Sequence, residues 1–270
     1  RIESFLADAG YRVILCNSDD HPDLEEQYFE MLLSNQVDGI ITGAHSQVVA
    51  NLPHVQAPLV TVDRPGTQKY PNIRADNYAG ARMAVEHLVA TGARNILHIT
   101  STVSEQNLRL AGYRDALTAA GMTPQVLELG FRTPLPRKRE LIERYLKEST
   151  AGERVDAVFA SNDTYAAMAL NWARTRNLCV PQDFQVVGFD GTETVRALIP
   201  ELATVVQPIE QIAARAVQRL LQTIESGRQG RPDDTPSPHE SDKEQQGSTA
   251  DVFPVHLHEG GTLRAITASS

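Results

Sequence analysis

VDAVFASNDTYAAMALNWARTRNLCVPQDFQVVGFDGTE, residues 155–193, decides the fold class. Its first seven residues are apolar and β-rich, and predict a strand over 155–161. Alanine, methionine, leucine and tryptophan then recur at helical spacing and predict a helix over 164–176. A second β-rich run predicts a strand over 185–189. Strand, helix and strand in that order build a parallel α/β sheet. Both strands end in polar side chains, Asn162 and Asp163 after the first and Asp190 after the second. Open parallel sheets bind ligands outside the carboxyl ends of their strands, so these groups predict a polar small-molecule site on one rim. Asp163 also reads as the N-cap of the following helix, its carboxylate accepting a backbone N–H. That reading leaves Asn162 and Asp190 as the ligand contacts.

Towards the amino end the same alternation continues. Ile2, Phe5, Leu6 and Ala9 mark a helix closed by Gly10, and YRVILC over 11–16 reads as a strand. A helix feeding a strand in a right-handed βαβ unit implies a preceding strand, so a further apolar segment is expected upstream of Arg1. Pro22 opens a second helix with an acidic first turn of Asp23, Glu25 and Glu26. Strands are predicted over 37–42 and 58–63, and the second carries Asp63 to its carboxyl end. After a short run at 73–75, Asp76 caps a long helix that ends at Gly92. The strand over 95–100 leads through a polar rim into a helix with Arg109 in its first turn. A cation there opposes the helix dipole and is not chosen for local stability. Its planar fork of donors suits vicinal hydroxyls or a carboxylate. A strand over 125–129 leaves Phe131 at its rim, where an aromatic stacks on the apolar face of a sugar ring or a base.

Towards the carboxyl end, a strand over 202–206 delivers Gln207, and Pro208 starts the helix with the clearest periodicity in the chain. Residues 228–249 contain no Val, Ile, Leu, Met or aromatic residue. Such a segment cannot bury enough apolar surface to offset its ordering entropy, and 228–250 reads as a disordered insertion. A final strand is predicted over 252–257. His256 and His258 alternate on one face of it, but with no third ligand in sight they read as a surface pair, and no metal is expected.

Composition limits the alternatives. A chain of 270 residues with 41% hydrophobic content can bury a substantial core. No run approaches the ~18 apolar residues that a membrane span requires, so no membrane partner is expected. The formal charge of -9 and the pI near 5.4 argue against a direct grip on nucleic acid. Cys16 and Cys179 lack CxxC spacing and read as small buried hydrophobes. No GxGxxG, Walker A, GxSxG, HExxH or zinc-type CxxC motif occurs, so no cofactor and no catalytic residue is assigned.

Several of these runs occur together, and in order, in one family. A strand ending in ASND, the run VPQDFQVVGFD, VDRP at 62–65, DNYAGARMAVEHLVATGARNILHIT, RLAGY, PELATVVQP and PVHLHEGGT resemble the effector-binding domain of the LacI/GalR family of bacterial transcription regulators. Two departures are Ala93, where relatives usually carry histidine, and Ala203, where threonine is common. The resemblance implies two Rossmann-like lobes with parallel sheets, joined by three crossover strands, in the periplasmic-binding-protein-like type I arrangement. Residues 1–74 plus 208–227 would form the amino-terminal lobe, and 75–207 plus 251–270 the carboxy-terminal lobe. Asp63, Arg109, Asn162, Asp190 and Gln207, with Phe131, would meet a sugar, polyol or sugar acid in the cleft. An upstream helix-turn-helix would bind operator DNA as a homodimer, which implies a cytoplasmic regulator rather than an enzyme. Two rivals share the architecture: a periplasmic sugar-binding protein of a transporter, and a Rossmann-like enzyme acting on a sugar or nucleotide.

Overall fold

A computed structural model of the protein describes residues 1–19, 21–43, 57–63, 70–149, 154–229 and 250–266. In chain order its elements are α1 (Ile2–Asp8), α2 (Pro22–Ser34), β1 (Ile40–Thr42), β2 (Leu59–Val62), β3 (Asn72–Ala75), α3 (Asn77–Ala90), β4 (Ile96–Thr100), α4 (Leu108–Ala119) and β5 (Gln125–Glu128). They continue as α5 (Leu135–Glu148), β6 (Ala157–Ala160), α6 (Asp163–Thr175), β7 (Gln185–Asp190), α7 (Glu193–Leu198), β8 (Ala203–Val206), α8 (Ile209–Gln229), β9 (Asp251–Phe253) and β10 (His256–His258). These form two compact units, Arg1–Ala75 with Pro208–Phe253 and Asp76–Gln207 with Pro254–Ser270. The chain therefore passes from one unit to the other three times.

The first unit holds a parallel sheet in the order β1-β2-β3-β9. The apolar stripe predicted on α8 is what covers it: Ala216, Leu220 and Ile224 pack with Val60 and Ile73. β9 is tied to the same helix by charge. Arg215 and Arg219 donate from Nε to the Asp251 carboxylate at 2.7 and 2.9 Å, and the Arg219 bond foremost holds that carboxyl below its usual range.

Several expectations change. Residues 11–16 form no strand: Ile14 and Leu15 are 61% and 90% exposed, and among the described residues no strand pairs with them. An apolar β-rich run becomes a strand only against a neighbour that supplies the ladder. The final strand over 252–257 is broken at Pro254, which has no N–H to give a ladder. Its first part, β9, pairs in parallel with β3, so 251–253 belong to the first unit and not to the carboxy-terminal lobe. The helix α8 runs past Gly227 to Gln229, while 230–249 of the expected insertion lie outside the described residues. Neither cysteine is a core residue; Cys16 is half-buried, and Cys179 is exposed in the turn beyond α6.

The second unit is a six-stranded sheet in the order β10-β8-β7-β6-β4-β5, parallel throughout except for β10 at the edge. Its strands are apolar on both faces because helices cover both. One layer joins Leu97, Ile99, Val158 and Ala160 to Trp172 and Phe184; the other joins Ile96, Phe159 and Phe189 to Val85, Leu88, Tyr113 and Leu117. The segment after β10 closes the sheet. Thr262 accepts from the Ala203 amide at 2.8 Å, and Arg264 donates to the Thr91 carbonyl at 3.0 Å and the Pro181 carbonyl at 3.0 Å.

Helices α3 and α4 touch through a glycine. A Cβ on Gly112 would strike the Tyr78 carbonyl oxygen and come within 3.0 Å of the Ala81 Cβ. Gly112→Ala gains about 1 kcal/mol of helix propensity, but it must force the two helices apart, at about 1–3 kcal/mol. We expect a lower thermal midpoint for this variant; a raised midpoint would show that the contact is not tight.

Candidate functional site

The order of the second sheet reverses at β4, with β5 on one side and β6 on the other. At such a point the loops leaving the carboxyl ends diverge and expose helix N-termini, which is where open α/β sheets take their ligands. Two helices begin there. The side chain of Asn107 caps α4, accepting from Leu110 N at 3.1 Å, and that of Asn162 caps α6, accepting from Tyr165 N at 2.9 Å. The expected cap at Asp163 is thus one residue off. The carboxamide of Asn162 occupies the cap, and its nitrogen carries no hydrogen bond among the described residues.

Arg109 lies in the first turn of α4, its side chain only 16% exposed. Its Nε donates to Asn77 Oδ1 at 2.8 Å. Its Nη1 donates to the Ser161 carbonyl and, at 3.2 Å, to Asp190 Oδ1. The guanidinium lies 3.8 Å from the centroid of the Phe189 ring, a cation–π contact that also fixes its plane. Among the described residues Nη2 has no partner. Gln207, at the end of β8, donates from Nε2 to Asp190 Oδ1 at 2.8 Å and from its backbone N to the Asp190 carbonyl at 3.1 Å.

Asp190 closes β7 with φ +108, and Gly191 follows with φ +60. A non-glycine residue at such an angle costs on the order of 1–3 kcal/mol and persists only where its surroundings enforce it. Asp163 lies against this turn. It is 3% exposed, accepts from Gly191 N at 2.8 Å and from Thr204 Oγ1 at 2.5 Å, and fills the space that a Cβ on Gly188 would need. Burial pushes its carboxyl up, against the lowering effect of these two bonds, of the Thr192 amide and of Arg109.

Of the residues expected at the site, Arg109, Asp190 and Gln207 are therefore in one hydrogen-bonded group, and Asn162 adjoins it through Ser161. Phe131 belongs to a second string at the ends of β4 and β5. Its carbonyl accepts from the buried Lys138 at 3.0 Å, the Lys138 ammonium lies 5.4 Å from the Tyr165 ring centroid, and the Tyr165 hydroxyl meets Ser101 Oγ at 3.0 Å. Asp63 stands in the first unit, beyond the end of β2, half-buried and with φ +68. Sequence reading missed Asn77. The available signal was a poor helix former placed directly after the cap Asp76, where a buried side chain with a partner elsewhere is the natural explanation. No group of three or more His, Cys, Asp or Glu side chains fit for a metal occurs among the described residues, and no described helix is long and apolar enough to cross a membrane.

Two parallel α/β units built from interleaved segments of one chain define a periplasmic-binding-protein-like domain, and the family model described as a periplasmic binding protein-like domain matches residues 85–241. The sucrose operon repressor of Pediococcus pentosaceus is 39% identical over 229 residues, spanning 83% of this chain and 69% of that protein. The ribose operon repressor of Halalkalibacterium halodurans is 31% identical over 228 residues, spanning 83% and 67%. A periplasmic binding protein/LacI transcriptional regulator from Alkaliphilus metalliredigens QYMF, solved with D-xylulofuranose, matches with a TM-score of 0.77 at 28% identity, covering 98% of this chain and 92% of that one. This chain belongs to the LacI/GalR family of transcriptional regulators and is the effector-binding domain of such a regulator.

Proposed function

We propose that this domain senses a sugar or polyol for a cytoplasmic transcription repressor, with Arg109, Asn162, Asp190 and Gln207 as its contacts and Phe131 stacking on the ring. The observation that carries this reading is the Arg109–Asp190–Gln207 group, which sets donors and acceptors side by side at one rim. Vicinal hydroxyls, each both donor and acceptor, match that pattern, and the fork of Arg109 spans two of them. A relative named as a sucrose operon repressor and a neighbour solved with D-xylulofuranose support a carbohydrate as the ligand. No chemistry is assigned to the group: the domain binds and does not turn its ligand over.

In this reading a separate DNA-binding part of the regulator acts as a homodimer on an operator. The effector shifts operator affinity only by the difference between its affinities for the two states of the domain. Isothermal titration with sucrose, D-ribose and a set of related sugars and polyols tests the site, with Arg109→Ala alongside. Hydrogen bonds to a charged group are worth about 1.5–3 kcal/mol, so the variant should bind about tenfold to a hundredfold more weakly. Equal affinity in wild type and variant would remove Arg109 from the site. Binding of no carbohydrate at all would remove the function.

A further inference from the structure

We propose that Asp163 is a positioning residue of the effector site, acting on the ligand only through Gly191 and the carboxylate of Asp190. This deepens the function proposed above and rests on it for its ligand. The sequence offers Asp163 the ordinary task of a helix cap, and the structure gives that task to Asn162. What remains is a carboxylate at the first position of α6, 3% exposed, turned away from its own helix and into the turn after β7. Its two oxygens have separate duties. Oδ2 accepts from Gly191 N at 2.8 Å, and Oδ1 accepts from Thr204 Oγ1 at 2.5 Å on the neighbouring strand.

The surroundings are shaped to that carboxylate. Gly188 lacks the Cβ that would collide with Oδ1, and Gly191 at φ +60 turns its N–H inward to meet Oδ2. Between them in sequence lies Asp190 at φ +108, a backbone state that an aspartate holds only when its surroundings enforce it. The peptide that joins Asp190 to Gly191 is held at both its polar atoms: its carbonyl accepts from Gln207 N at 3.1 Å, and its N–H donates to Asp163 Oδ2 at 2.8 Å. With both in place the Asp190 carboxylate faces Arg109 Nη1 and Gln207 Nε2 together. Without the Gly191 anchor the Asp190 backbone relaxes to a negative φ, its side chain swings, and the Arg109 fork loses the partner that orients it.

The test separates this role from general support of the fold. In Asp163→Ala, without sugar, the Gly191 amide resonance should move upfield and exchange faster with solvent. Sugar affinity, by titration with whichever carbohydrate wild type binds, should fall at least about tenfold, the size of one lost hydrogen bond to a charged group. Asp163→Asn should restore both to near wild type, since a carboxamide oxygen accepts from Gly191 while its NH2 donates to the Thr204 hydroxyl. Thr204→Val, which leaves the carboxylate on Gly191, should leave the amide resonance in place. In an Asp190→Ala background the loss caused by Asp163→Ala should shrink to less than about twofold, because the two residues act as one unit. An unshifted Gly191 amide in Asp163→Ala, or a loss that adds in full to that of Asp190→Ala, overturns the proposal. If Asp163→Ala does not fold, Asp163→Ser, whose hydroxyl is too short to reach Gly191 N, carries the same comparison in both backgrounds of Asp190. Failure of wild type to bind any sugar strikes the proposed function instead, and the ligand-free amide measurement still reads this one.

Discussion

Phe159→Ala is expected to destabilise the second unit by about 3–5 kcal/mol, the range for removing a fully buried aromatic ring from a core that cannot collapse around the gap. The ring is 0% exposed in the middle of β6, and the sheet gives it no room to relax, since β4 and β7 flank the strand on either side. Above it the layer of Ala81, Val85, Leu88, Leu110 and Leu117 is held by the close α3–α4 contact at Gly112. The rings of His98 and Tyr113 stack beside it at centroid distances of 4.8 and 6.4 Å, so both lose a face on truncation. Urea denaturation followed by tryptophan fluorescence reads the effect through Trp172 in the same unit. A change below about 1 kcal/mol would mean that this face of the sheet is not packed as described.

The second large effect is one of pH. His98 is 0% exposed on β4, and its Nδ1 donates to the Phe159 carbonyl at 2.9 Å, leaving Nε2 with no partner among the described residues. A second proton would be a buried, unshared charge. Burial, with smaller contributions from Arg109 and Arg114, holds its pKa down at about 4, against 6.5 for a free imidazole. Between those values the unfolded chain binds a proton that the folded chain refuses, so stability rises with pH across this window. The contribution is complete above about pH 6.5 and is lost as pH falls towards 4, with a total on the order of 3 kcal/mol. His98→Phe keeps the stack and deletes the titration. Wild type should therefore lose about 2–3 kcal/mol more than His98→Phe between pH 7 and pH 4.5, by denaturant midpoints in both proteins. Parallel losses would show that the folded protein protonates His98 freely.

Much of the second unit was legible because its signals are local. The apolar runs at 157–160 and 185–190, the helical spacing of Ala166, Leu170 and Ala173, and the cap at Asp76 each follow from residues within a turn or two. The misreadings share a physical cause, which is competition that only the assembled fold resolves. Asn162 and Asp163 are both good caps, and the choice between them was made by Gly191 and Thr204, on other strands. The run at 11–16 has strand composition but no described neighbour to pair with, and the run at 252–257 was divided by a proline whose missing N–H matters only once there are two sheets to serve. Asn162 and Asp190 follow from their place at strand ends and Arg109 from a cation set against the helix dipole, whereas Asp63 and Gln207 rest on family resemblance. Distance along the chain gives no hint that Arg109, Asp190 and Gln207 share one oxygen atom.

The interleaving of the two units has a consequence for how the protein is made. Thr91 must wait for Arg264, 173 positions later, before its carbonyl is satisfied, and Ala203 must wait for Thr262. At a synthesis rate of ~5–20 residues per second, that interval is roughly 10–35 s. Within it β8, once made, has an open edge until β10 follows, and the first sheet lacks its covering helix until α8 is made and its fourth strand until β9 is. A nascent chain of this design is exposed to mispairing until its final strands emerge, and a slow codon placed late in the message should cost more folded protein than one placed early.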